Sequence, residues 1–89
     1  METFIQQQNI NIVFFTNKKF LELNDKIKEQ SKLLGESHFL FIDSDKDYDL
    51  IHKLNIKSVP LFYIYKNGTL IEEVFGNYNN ICEIIQLHF

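Results

Sequence analysis

From Ile56 to Gly76 the chain reads Ile-Lys-Ser-Val-Pro, an apolar run, Lys-Asn-Gly, a second apolar run and a closing glycine. No other stretch restricts the possible folds so tightly. Asn67-Gly68 is the strongest short hairpin signal, because both residues tolerate positive φ. It therefore joins Leu61–Tyr65 to Thr69–Phe75 as an antiparallel pair, with Pro60, the sole proline, opening the first strand. Glu72 and Glu73 place the second strand near a sheet edge.

Upstream, the hydrophobic pattern alternates between strand and helix. Ile10-Asn11-Ile12-Val13-Phe14-Phe15 is rich in β-formers, and its second half is apolar enough for burial on both faces. Thr16-Asn17 supplies a polar turn and a helix N-cap. From Lys18 to Leu34, Phe20, Leu23, Ile27 and Leu34 recur near helical period, and Gly35 ends the helix. Phe39–Ile42 reads as a central strand, and Ser44-Asp45-Lys46-Asp47 as a capping box before a helix through Leu50, Ile51 and Leu54. Asn80 to Phe89 closes as an amphipathic helix carrying Ile81, Cys82, Ile84 and Ile85. The order β-α-β-α-β-β-α predicts a single α/β domain over residues 1–89, a mixed sheet of about four strands with helices on both faces. The 89 residues are near the size where one core is marginal, yet 45% are apolar, enough to exclude disorder.

Composition excludes several function classes. One cysteine cannot form an internal disulfide, and no Cys/His cluster has zinc-like spacing. His38, His52 and His88 are scattered, and surface or boundary positions are expected for each. Asp43, Asp45, Asp47 and Asp49 alternate but lack the glycine and distal glutamate of a calcium loop, so no metal is expected. A net charge of −3, with no arginine, leaves no footprint for nucleic acid. No run spans a bilayer and no secretory signal opens the chain, so the expected location is the reducing cytoplasm.

The order of elements, and the second half in detail, resembles the thioredoxin family. Asp43 through Phe75 parallels the family's strand, acidic turn, helix, Ile-x-Ser-hydrophobic-Pro loop and Lys-Asn-Gly hairpin. Residues 38–89 match well, and residues 10–37 match in element order only. The resemblance implies a thioredoxin-like three-layer sandwich. It also implies a cis peptide before Pro60, a left-handed Asn55 where the family often has glycine, and a Gly76 that lets backbone approach the proline loop.

The departures carry as much information. Where the family's Cys-x-x-Cys opens the first long helix, this chain reads Thr16-Asn17-Lys18-Lys19. Val13-Phe14-Phe15 replaces the family's buried acid, and Leu61 follows the proline where threonine is common. Without a thiol there is no thiolate attack on a disulfide, so dithiol oxidoreductase activity is expected to be absent. What the resemblance keeps is the loop whose backbone pairs with an extended client. The expected function is a non-catalytic module docking onto a protein partner or larger assembly, without a cofactor. The expected partner-binding residues are Thr16, Asn17, Lys18, Ser58, Val59 and Pro60, with Asn55, Asn67, Gly68 and Gly76 structural. The alternatives are a residual monothiol or glutathione-linked activity through Cys82, otherwise a small buried hydrophobe, and a glutathione-binding domain that needs no cysteine. Lys18 and Lys19 oppose the helix dipole; solvation is the ordinary reading, and an acidic partner the alternative.

Overall fold

The computed structural model describes residues 10–35 and 38–76 together with Glu83, apart from the side chains of Leu33 and Leu34. Strand β1 spans Ile10–Thr16 and leads through a short 3-10 turn, Lys18–Phe20, into helix α1, Leu21–Leu34. Strand β2, Phe39–Asp43, precedes helix α2, Tyr48–Lys53. Strands β3, Leu61–Lys66, and β4, Thr69–Phe75, form the hairpin. Met1–Gln8, Cys82, His88 and the helix expected over 80–89 lie outside the described residues, except that Glu83 is helical.

The four strands form one mixed sheet in the order β2-β1-β3-β4. β1 is parallel to β2 and antiparallel to β3, and β3 is antiparallel to β4. β1 lies inside the sheet, and every one of its residues is buried. Its alternation divides the apolar material between two faces. Ile10, Ile12 and Phe14 pack with Phe62, Ile64 and the α1 residues Leu23 and Ile27. Val13 and Phe15 face the other way, onto Leu61 and the α2 residues Leu50 and Ile51. Phe14 stacks on Phe62 with ring centroids 4.3 Å apart and meets Phe41 edge-on at 5.6 Å. Helices therefore cover both faces of the sheet.

Among the described residues Phe39–Asp43 pairs with β1, and Leu40 and Phe41 are half-buried. Its continuous apolar run reflects packing under α1 on one face and beside α2 on the other. Ser44–Asp47 is not a capping box. The Asp43 carboxylate accepts the Asp45 amide at 2.9 Å, which makes residues 44–46 a turn and delays the helix to Tyr48. The long helix also starts late: Asn17 caps the 3-10 turn by accepting the Lys19 amide, and α1 itself begins at Leu21.

The turn residues take the backbone their types favour. Asn67 and Gly68 have φ of 51° and 85°, and Asn55 has φ of 58°. Asparagine is the best-tolerated non-glycine residue at such angles. A bulge between Ile64 and Tyr65 leaves Ile71 as the extra residue of β4 and confines regular pairing to the two ends of the hairpin.

Candidate functional site

The ladders converge on a single end of the sheet. β1 and β3 pair from Ile10–Lys66 to Phe15–Leu61, and one step further brings Thr16 level with Pro60. β3 and β4 pair at Leu61–Phe75, and one step further brings Pro60 level with Gly76. Thr16 is also paired with Asp43 across the parallel ladder. Asp43, Thr16, Pro60 and Gly76 thus form a row across the sheet end. Two backbone hydrogen bonds extend it: Ser44 N–H donates to the Thr16 carbonyl at 2.8 Å, and Gly76 N–H to the Pro60 carbonyl at 3.1 Å.

Ahead of this row the chain is open. Ser58 is exposed, Val59 half-buried and Pro60 buried, and the Val59–Pro60 peptide is cis. The Val59 side chain packs into the α2-side core. Among the described residues, the backbone hydrogen bonds outside helices and strands include none from Ser58 or Val59. A half-buried side chain beneath backbone that makes no such bond among the described residues is an arrangement that suits strand addition.

The facing wall is the turn from β1 into α1. Thr16 is 6% exposed, and its hydroxyl donates to Asn24 Oδ1 at 2.6 Å. Asn24 Nδ2 donates to the Asn17 carbonyl at 3.1 Å, and Asn17 Oδ1 accepts the Lys19 amide at 2.9 Å. These bonds hold the turn to the helix without sulfur: no cysteine lies between Thr16 and Phe20. Thr16 therefore serves the site by positioning Asn24, with its side chain turned inward, while Lys18 and Lys19 stand exposed.

On the α2 side of the row lies a groove of about 250 Å³, lined by Ile56, Lys57, Leu61, Tyr63, Glu73 and Phe75 among others. Phe75 is 64% exposed at the end of β4. Tyr63 and Glu73 are directly opposed across β3 and β4. Burial pushes the Tyr63 phenol above its ordinary value near 10, and the charge and hydrogen bond of Glu73 add to the shift. Tyr65 is raised for the same first reason, burial, then by Tyr63 and Glu73.

Thr16, Asn17, Lys18, Ser58, Val59 and Pro60 thus meet at one end of the sheet, although the first three and last three are far apart in the chain. Asn55 and Gly76 flank the same end, whereas Asn67 and Gly68 form the hairpin tip at the opposite one. Sequence reasoning missed Asn24 and Phe75. Asn24 carries no local signal, since its partners lie seven and eight residues away. Phe75 had one, as the last apolar residue of an edge strand directly before a glycine. Among the described residues no group of His, Cys, Asp and Glu is arranged to hold a metal, and no helix is long and apolar enough to cross a membrane.

No protein-family profile matches the chain. A thioredoxin of Aspergillus fumigatus is 33% identical to it over 63 residues, which covers 68% of this chain and 58% of that protein. Thioredoxin 1 of Plasmodium falciparum is 35% identical over 49 residues, covering 55% of this chain and 47% of that one. The chain spans about half the length of the curated relatives it matches. Among solved structures, Plasmodium falciparum thioredoxin superposes with a TM-score of 0.82 at 25% identity, covering 99% of this chain and 90% of that one. Thioredoxin f2 of Chlamydomonas reinhardtii shares the fold with a TM-score of 0.81 at 20% identity, covering 99% and 88%.

Proposed function

The chain belongs to the thioredoxin-like family as a member lacking the Cys-x-x-Cys pair, and on that premise we propose that it is a non-catalytic protein-binding module. It holds an extended segment of a partner protein against Ser58 and Val59, without forming a covalent bond to it. The observation that carries this reading is the pairing of two walls at one sheet end. One wall keeps the Ser58-Val59-Pro60 loop, in which Ser58 and Val59 make none of the backbone hydrogen bonds found among the described residues and the Pro60 carbonyl accepts the Gly76 amide. The other replaces a reactive dithiol by the Thr16–Asn24–Asn17 hydrogen bonds.

The physical consequence is a division of labour. Strand addition needs backbone donors and acceptors and a shape, and neither depends on sulfur. Disulfide exchange needs an attacking thiolate and a resolving partner, and the chain's one cysteine supplies no such pair. The relatives are named thioredoxins, whereas this chain reads Thr16-Asn17-Lys18-Lys19 at the turn into its first helix. A reducing intracellular setting is consistent with the lone thiol.

The test is selection of a displayed peptide library on immobilised protein, paired with an insulin-reduction assay. The reading expects extended peptides that bind wild type and fail to bind Phe75→Asp, and no disulfide reduction above background. Phe75 is exposed enough that the substitution leaves the core intact. Disulfide turnover by this chain, or a library yielding no peptide sensitive to Phe75→Asp, would overturn it.

A further inference from the structure

The charges around the open loop are arranged by sign. Lys18 and Lys19 stand exposed on the wall that leads into α1, and Lys57 stands exposed on the opposite wall, next to Ser58. None of the three joins an ion pair among the described residues; Lys26, by contrast, reaches Glu22 at 3.6 Å. Asn17 through Phe20 and Asn55 through Pro60 contain no acidic residue, in a chain whose net charge is −3. One acid of this end, Glu73, shares the groove with Lys57, and the others lie beyond it. Asp43, Asp45 and Asp47 sit beyond Thr16 on the β2 side, with the Asp43 carboxylate turned to the Asp45 amide. Glu73 lies along the groove on the Phe75 side, bonded to Tyr63.

Lys18 and Lys19 oppose the helix dipole at the start of α1, and Lys57 adds the same sign on the loop beside Ser58. An occupant of opposite sign offsets that charge. We infer that the segment received by the Ser58–Val59 loop is acidic, with alternate apolar side chains. This rests on the proposed strand-addition reading and names the class of partner it serves. The partner's apolar residues lie over Phe75, Leu61 and Ile56, and its carboxylates meet Lys18, Lys19 and Lys57 from either side. Asp43, Asp45 and Asp47 make the β2 end repulsive to the same charges, so the acids of the partner cluster toward the loop. Electrostatic complementarity of this kind selects partners and speeds encounter more than it adds affinity.

The experiment uses short fluorescein-labelled peptides with valine at alternate positions and the intervening positions all glutamate, all glutamine or all lysine. Anisotropy is read against the full chain. The glutamate peptide is expected to bind about tenfold tighter than the glutamine peptide at low ionic strength, with the gap closing as salt rises. The combined variant Lys18→Gln, Lys19→Gln, Lys57→Gln is expected to lose the preference, so that the glutamate and glutamine peptides bind it alike. All three side chains are exposed, and an unchanged circular dichroism spectrum verifies that the variant folds. Equal binding of the glutamate and glutamine peptides, or a preference that survives the triple substitution, overturns the inference and leaves the groove reading standing. Failure of all the peptides to bind overturns both.

Discussion

Gly76 donates its amide hydrogen to the Pro60 carbonyl at 3.1 Å, tying the end of the last described strand to the loop that opens β3. Gly76 has φ of 91°, and a Cβ built there meets nothing within 4 Å. The position is restricted by backbone angle alone. Gly76→Ala is therefore expected to cost about 1–2 kcal/mol, the left-handed penalty of an L-residue, in urea denaturation. Gly35→Ala is expected to cost more, because its φ is 101° and the added Cβ would lie 3.3 Å from His38 Cδ2.

The Thr16–Asn24–Asn17 bonds stand where a dithiol turn would, and they act as a unit. Asn24→Ala should destabilise the chain by about 1–2 kcal/mol, and Thr16→Val by roughly 1 kcal/mol. Their double mutant should fall short of the sum by about 0.5 kcal/mol or more, because each single change already breaks the shared bond. Strict additivity in denaturant melts would show that the turn is held by something else.

Tyr63 makes stability depend on alkaline pH. Its folded phenol titrates above its ordinary value near 10, so between the unfolded and folded values the folded chain holds a proton that the unfolded chain has lost. Its contribution is complete below pH 10 and is lost as pH rises through the folded value. Stability followed from pH 8 to pH 11 should therefore decline at the top of the range, and Tyr63→Phe should flatten that decline. Tyr65, raised for the same leading cause, leaves a residual slope in the variant.

Asn11 is wholly buried in β1, and its Oδ1 lies 3.2 Å from His38 Nδ1. Asn11→Ala is expected to cost about 1–3 kcal/mol, since it strips a buried polar contact and leaves a void in the central strand. Chemical denaturation of the purified variant gives the value directly.

Much of the architecture was legible because local chemistry and tertiary placement agree. Asn67-Gly68, the alternation of β1 and the helical spacing of Leu23 and Ile27 each point to the element that forms. Where they failed, a nearby group outcompeted the expected one. Asp43 captured the Asp45 amide and delayed α2, and Asn17 capped a 3-10 turn that delayed α1 to Leu21. The site was legible in its two halves, through the Ser58-Val59-Pro60 loop and the missing thiols. Their juxtaposition required the ladder register, and Asn24 required three dimensions, because nothing in its neighbours marks it as the link between Thr16 and Asn17.

The central claim is that the groove binds an extended segment without help from sulfur. Amide chemical shifts of the isotopically labelled chain, titrated with a library-selected peptide, test it most directly. Changes are expected to concentrate at Asn17–Lys19, Lys57–Val59, Phe75 and Gly76, and to be identical in wild type and Cys82→Ser. Changes centred elsewhere, or binding abolished by Cys82→Ser, would contradict it.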